Sequence, residues 1–196
     1  MLFKNKKESF VVYTAGAAVL KEIAKPVPVV TAEIRQLASE MIKAMRVFNG
    51  IGLAAPQYGH SLRLVVFDVP REGSTGTPGE EYLLPKMPMA VINPEIVMRS
   101  SETDEKDEGC LSVPDIYAPV VRPSRVLFRA QTIDGEFFEL ECGGLLGRCI
   151  QHELDHLDGF LFTDRLTPQA ERAIRGDLNR LKSAGQSCNY RRISKK

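Results

Sequence analysis

The residues Gln151-His152-Glu153-Leu154-Asp155-His156 place two histidines four positions apart, with a glutamate directly after the first. On a helix that spacing sets His152 and His156 about 40° apart on one face, so two imidazoles can reach one metal ion. Glu153 is turned roughly 100° from His152, beside the open side of such a metal, where a base for an attacking water belongs. A pattern with three fixed positions also arises by chance on any helix. Its surroundings argue for a site. Leu145 and Cys149 fall on the histidine face, while Leu146, Ile150, Leu154 and Leu157 cluster opposite. Only a narrow stripe of Arg148, Gln151 and Asp155 is polar. A metal explains histidines in so apolar an interior better than solvent does.

Hydrolytic centres of this kind have three protein ligands and a water. Candidates for the third donor are His60, Cys110, Cys142, Cys149, Cys188 and downstream carboxylates such as Glu171. Cys149 lies one turn before Glu153, and three neighbouring ligands on one helix do not converge easily, which favours its reading as a small buried apolar residue. His60 follows Gly59 in a turn and is expected to be exposed. Cys110 stands in Glu108-Gly109-Cys110-Leu111-Ser112-Val113-Pro114, where Gly109 permits a sharp turn that brings a thiolate and the next N–H to one place. A thiolate lowers the net charge of a metal, and an N–H can hold a developing oxyanion.

Several elements must position these groups. Thr31 caps a predicted helix running to Phe48, with Ile34, Leu37, Ala38, Met41, Ile42 and Met45 at three- and four-residue spacing and Asn49-Gly50 at its end. Gly50 to Gly59 reads as a glycine-rich loop that lets backbone approach something closely. Leu62 to Val69 reads as a buried strand, Arg71 to Met89 as an exposed loop, and Ala90 to Ile92 and Glu95 to Arg99 as extended segments around Asn93-Pro94. Ser100 to Glu108 is expected to be a solvated acidic connector. Val126 to Thr132 and Glu136 to Glu141 flank Asp134-Gly135, a hairpin signature. Gly143-Gly144 separates that hairpin from a helix over Leu145 to Leu157, which Asp158-Gly159 closes. A last helix begins at Thr167-Pro168 and runs to about Ala184.

The chain has 196 residues, 43% hydrophobic and 26% charged, which fits one globular domain and disfavours disordered and fibrous classes. Four irregularly spaced cysteines do not form a disulfide framework in a chain of this length, so they are thiols or ligands. No apolar stretch is long enough for a membrane span, and the N-terminal segment lacks the uninterrupted core of a secretory signal, so an intracellular protein is expected. The net charge of +1 gives no general pull towards DNA. Residues 167–196, however, carry eight basic side chains (Arg172, Arg175, Arg180, Lys182, Arg191, Arg192, Lys195, Lys196) against Glu171 and Asp177.

GIGLAAPQ (Gly50 to Gln57), EGCLS (Glu108 to Ser112) and QHELDH (Gln151 to His156), in that order and separation, resemble the three signature motifs of the peptide deformylases. The similarity covers about residues 20–166, including Val120 to Pro123 and the Asp134-Gly135 hairpin, and weakens over the N-terminus, Arg71 to Met89 and the tail. It implies an α+β fold, with mixed antiparallel strands wrapped around a central HExxH metal-binding helix and a C-terminal helix. A single catalytic domain would span 1–196. It implies that Cys110, His152 and His156 bind one divalent metal, commonly ferrous iron, with zinc, nickel or cobalt as substitutes and a water completing the sphere. Glu153 would shuttle the proton, and Gln57 and the Leu111 backbone N–H would hold the formyl oxygen. Gly50, Ile51 and Gly52 would bond an extended peptide substrate through their backbone, and Ile51, Leu145 and Cys149 would line a methionine pocket.

The implied reaction frees the amino terminus of N-formylmethionyl nascent peptides in the cytoplasm; a plastid or phage-encoded form fits the same motifs. The basic C-terminal segment is either a solubilising tail or a contact with ribosomal RNA, as in some family members. Arg148 stands where some relatives carry an apolar residue and Tyr117 where others carry arginine, which leaves the pocket rim open. Asp155, beside a buried metal helix, calls for an arginine partner such as Arg122. A rival reading is a zincin-type endopeptidase with Glu171 as third ligand, although Thr167-Pro168 starts a new helix before it. A metal-stabilised peptide-binding module without turnover is a second rival.

Overall fold

A computed structural model of the protein describes residues 9–184 and 189–193. Strand β1 (Ser9–Tyr13) leads to helix α1 (Ala32–Val47), where the Thr31 side chain accepts a hydrogen bond from the Ile34 N–H at 3.4 Å and so caps the helix as its sequence predicts. Leu37, Ala38, Met41, Ala44 and Met45 form its buried stripe. Strands β2 (Gly52–Ala54) and β3 (Leu64–Phe67) follow, then helix α2 (Pro78–Leu83) and strands β4 (Met89–Arg99), β5 (Thr103–Cys110), β6 (Val113–Pro123), β7 (Arg125–Thr132) and β8 (Phe137–Gly143). The long helix α3 (Gly144–Leu157), helix α4 (Pro168–Ala184) and strand β9 (Asn189–Ile193) complete the described elements.

The pairings between these strands are antiparallel. Five strands form one sheet in the order β2-β3-β4-β7-β8, β5 pairs with β6, and β1 pairs with β9. The β7–β8 hairpin turns at Asp134-Gly135, where Gly135 takes a φ of 96° that a side chain would resist. Helix α3 lies between the five-stranded sheet and the β5–β6 pair. Leu146, Ile150, Leu154 and Leu157 pack into a core with Val65, Phe67, Val91 and Phe128 from the five-stranded sheet. The other side of α3 is bonded to β5 and β6: Gln151 Nε2 donates to the Pro123 carbonyl at 3.0 Å and Arg148 to the Val120 carbonyl at 3.0 Å. The expected α+β arrangement around a central helix is therefore present, with α4 packed on β6 through Ile174 and Leu178.

Three expectations need correction. Arg71 to Met89 is not one exposed loop. Pro78–Leu83 is helical, and buried Glu80 accepts from the Thr75 and Thr77 N–H groups at 3.0 Å, a local capping arrangement that closes the segment. Ser100 to Glu108 is not a solvated connector either, since Thr103 onward forms β5, paired residue for residue with β6. Within the expected loop from Gly50, Gly52–Ala54 is a strand on the edge of the sheet. The polar stripe of α3, Arg148, Gln151 and Asp155, is buried.

Candidate active site

Helix α3 carries His152, Glu153 and His156, and β5 ends at Cys110, where its register with β6 shifts between Gly109 and Cys110. That irregularity turns the thiol towards the helix. Cys110 Sγ lies 3.2 Å from His156 Nε2. One ligand atom from each of Cys110, His152 and His156 lies within 4.8 Å of the others, the one such group of three or more donors among the described residues. Gln57 joins them from the segment after β2. Its amide oxygen accepts the Ala54 N–H at 2.8 Å, which turns its NH2 towards Ser112 Oγ at 3.2 Å and Cys110 Sγ at 3.4 Å.

Behind the donors stands a buried charge cluster. His152 Nδ1 is 2.9 Å from Glu108 Oε2, which leaves its Nε2 on the Cys110 side. Glu108 accepts from Arg122 Nε at 2.6 Å and Nη2 at 2.9 Å, and from Arg148 Nη1 at 2.8 Å. Arg122 Nη1 also donates to Asp155 at 2.8 Å, the pairing expected from sequence, and Arg165 donates to the same carboxylate at 2.7 Å. Burial alone would raise the Glu108 pKa, but the hydrogen bonds and charges of Arg122 and His152 hold it far below the carboxylate range. Burial would likewise lower His152, yet the facing Cys110 and Glu108 hold it well above its ordinary value, so this spot favours a positive charge. His156 is driven well below its ordinary value by burial and by His152, which keeps its imidazole neutral as a ligand requires.

Glu153 is buried beside β2, and its Oε2 has no hydrogen-bond partner. Burial, helped by the charge of Glu108, pushes its pKa up to about 7. Gly52 makes room for it: a Cβ there would come within 2.8 Å of the Glu153 carboxyl carbon and 2.9 Å of Cys149 Sγ. Access is from a cleft of about 430 Å³ lined by Gly50, Ile51, Gly52, Gln57, Leu111, Leu145, Cys149, His152 and Glu153, together with Tyr117 and Arg148. The structure thus brings together the residues that the three motifs singled out.

The other ligand candidates fall away. His60 is exposed, Cys142 is buried in the sheet core with its thiol pushed up to about 12 by burial, and Cys149 lines the cleft as an apolar residue. Glu171 is exposed on α4 and pairs with Arg175 at 3.4 Å, which removes the endopeptidase reading. Cys188 lies outside the described residues. Sequence reasoning did not assign Glu108 and Ser112 their contacts with the donors and with Gln57. Their signal was present, since both flank Cys110 within one motif. Arg148, read as a rim residue, lines the cleft and is also tied to Glu108 and Asp104.

Three convergent Cys/His/His donors with a buried carboxylate on the same helix define a metal-dependent hydrolase. The family model described as Polypeptide deformylase matches residues 10–172. The peptide deformylase of Salinibacter ruber is 41% identical over 185 residues, covering 94% of each chain, and that of Acinetobacter baumannii is 44% identical over 83% of this chain and 85% of its own. Among solved structures, Arabidopsis thaliana peptide deformylase 1B in complex with an inhibitor superposes with a TM-score of 0.77 at 34% identity, over 90% of this chain and 92% of that one. A peptide deformylase from Legionella pneumophila gives 0.74 at 36% identity, over 89% and 96%. The chain belongs to the polypeptide deformylase family. Its activity is hydrolysis of the formyl group from the N-terminal formylmethionine of nascent polypeptides, giving formate and a free amino terminus.

Proposed function

We propose that the cleft performs this deformylation with Cys110, His152 and His156 as ligands of one divalent metal ion and Glu153 as the proton carrier. The supporting observation is the convergence of the three donors within 4.8 Å, with the Glu153 carboxylate, one oxygen of which has no hydrogen-bond partner, at the same cleft. The donor set fits a metal: a thiolate and a neutral imidazole, with a second imidazole whose Nδ1 is already committed to Glu108. When bound, a divalent cation supplies a nucleophile at neutral pH and polarises the carbonyl.

The remaining steps belong to the side chains. Glu153 takes a proton from the attacking water and returns it to the peptide nitrogen as the C–N bond breaks, so one group serves both transfers. The Gln57 NH2, fixed by its other contacts, and the Leu111 N–H donate to the formyl oxygen as negative charge develops on it. Gly50, Ile51 and Gly52, on the edge formed by β2, hydrogen-bond to the substrate as an added strand. Ile51, Leu145 and Cys149 receive the methionine side chain. In this reading one catalytic domain spans the chain, with its core at about residues 20–166.

Ferrous iron is the metal this reading favours, with zinc, nickel and cobalt accommodated by the same donors. The test is formate release from formyl-Met-Ala-Ser by anaerobically purified protein, with metal quantified beside it. Wild type is expected to release formate with one metal per chain, and Cys110→Ala to lose metal affinity by about 100-fold or more together with its activity. A fully metallated, inactive wild type would return the binding-module reading, and a metallated, active Cys110→Ala would remove Cys110 from the ligand set.

Deformylation of nascent chains implies a cytoplasmic enzyme working beside the ribosome. None of the described helices is long and apolar enough to cross a membrane. Helix α4 buries Ala170, Ile174 and Leu178 and exposes Arg172, Arg175, Arg180 and Lys182, a basic face suited to ribosomal RNA. Arg191 and Arg192 lie in β9, and Lys195 and Lys196 lie outside the described residues. Ribosome co-sedimentation is expected to weaken with salt and on removal of residues 185–196. Equal, salt-insensitive sedimentation of both forms would reduce the basic segment to a solubilising tail.

A further inference from the structure

Residues 71–89 contribute nothing to the lining of the cleft, yet they hold a buried carboxylate against the helix that carries the histidine donors. Glu80 is 1% exposed and Thr77 4%. The Glu80 carboxylate accepts the Thr75 and Thr77 N–H groups, each at 3.0 Å, and their hydroxyls at 2.7 and 2.8 Å. Burial would raise its pKa, but these bonds hold it below its ordinary value, so it is charged at neutral pH. The Thr77 hydroxyl, its proton committed to Glu80, accepts the Gly143 N–H at 3.2 Å. Gly143 directly precedes the first turn of α3, where backbone N–H groups have no partners within the helix.

The sequence of α3 does not fix its own start. Gly143 has no side chain to cap the helix, and Gly144 follows with a φ of 54°. Two adjacent glycines leave such a junction free to take many conformations. The clasp formed by residues 75–80 selects one of them. A Cβ on Gly144 would come within 2.7 Å of Glu80 Oε1, and one on Gly143 within 2.9 Å of Thr75 Oγ1. The Glu80 charge thereby faces the positive end of α3, where an anion is favoured. On the opposite side, a Cβ on Gly147 would come within 2.8 Å of the Cys142 carbonyl oxygen, so the first turn is wedged between the clasp and the end of β8. Leu145 in that turn lines the cleft, as does Cys149 one turn further on.

We propose that Glu80, acting through Thr77, is a positioning residue for the methionine pocket: it fixes the first turn of α3 and with it the place of Leu145. This role rests on the pocket of Ile51, Leu145 and Cys149 receiving the methionine side chain, as proposed above. His152 lies about two turns beyond Leu145 and is anchored separately by Glu108, so the clasp bears on the grip of the methionine rather than on the proton transfer.

The test compares kcat/KM for formyl-Met-Ala-Ser and formyl-Ala-Ala-Ser with metal-loaded, full-length wild type, Thr77→Val, Thr77→Ser and Glu80→Gln, with metal quantified in each. An alanine side chain does not fill the pocket, so the second peptide reports the catalytic centre alone. Wild type is expected to prefer methionine by about 100-fold or more, since each group matched to an apolar pocket typically counts for about tenfold. Thr77→Val keeps the shape but cannot accept the Gly143 N–H, and Glu80→Gln turns an amide donor towards other donors. Each should lower the preference about fivefold or more through a higher KM for formyl-Met-Ala-Ser, with one metal per chain and formyl-Ala-Ala-Ser turnover within about twofold of wild type. Thr77→Ser, which retains the hydroxyl, should keep the wild-type preference. If Glu80→Gln does not fold, the two threonine variants decide. A wild-type preference in Thr77→Val, equal losses on both peptides, or a Thr77→Ser as impaired as Thr77→Val overturns the positioning role and leaves deformylation standing. No formate from wild type with either peptide overturns the deformylation reading itself.

Discussion

Glu153→Gln is expected to bind its metal normally and to release formate about 1,000-fold or more slowly than wild type. The substitution keeps the shape of the side chain beside Gly52 and removes only its capacity to accept and return a proton. General acid–base groups typically contribute about 100- to 10,000-fold, and a group that serves both transfers belongs in the upper part of that range. The site supports that role physically. Glu153 lies in an interior where burial and the charge of Glu108 hold its pKa up at about 7, so near neutrality it neither binds nor gives up a proton at great cost. Because it contacts no metal donor through a hydrogen bond, its loss of charge leaves the Cys110, His152 and His156 constellation in place. Formate release in single turnover, with metal quantified in the same sample, reads the effect. A metallated variant within tenfold of wild type would transfer the proton role to another group.

The catalytic constellation was legible because its residue types are rare and their spacing has one geometric meaning. His152 and His156 at four-residue spacing, amid leucines, specify a helix face and a ligand pair. Two glycines near Gln57 announce close approach, and the structure shows what approaches: the Glu153 carboxylate against Gly52. The charge cluster was less legible. Strand β5 reads as solvent-facing because Thr103 to Asp107 carry polar or charged side chains on both faces, so no period-two apolar signal separates strand from loop. It pairs with β6, which begins three residues after β5 ends, but Leu111-Ser112 between them carries no hairpin turn signature. The helical turn at Pro78 was hidden for another reason: it is short, and its stability comes from one buried acid, Glu80, that caps the preceding threonines. The need of Asp155 for an arginine was legible, whereas nothing local showed that Glu108 and Asp104 wait for Arg148, because charge alone does not reveal a counter-ion across an interface.

That cluster makes Arg122 the position where a single change should cost the most stability. Arg122 is 5% exposed and joins Glu108 and Asp155, which reach it from β5 and α3. Removing it as Arg122→Ala leaves two carboxylates in the interior with Arg148, Arg165 and His152 as their remaining partners. A buried pair broken on one side typically costs about 3–5 kcal/mol, and the surviving arginines place this case near about 3. Urea unfolding of metal-stripped wild type and variant at pH 7 measures it without linkage to metal release. The sign of the pH dependence follows from Glu108. Its pKa in the folded protein lies below its ordinary 4.5, so the stability it contributes is complete above that pH and is lost as the pH falls towards the folded value. Without Arg122 the carboxylate is no longer held down and protonates at higher pH, which relieves its burial as a charge. The gap between wild type and variant should therefore be widest at pH 7 and narrow on acidification below about 4.5. Adding Glu108→Gln to Arg122→Ala should recover part of the loss, since both charges of that pair are then absent. A gap under about 1 kcal/mol, or one that stays constant down to pH 4, would mean that the carboxylates find water or other partners and that the cluster does not tie β5 to α3.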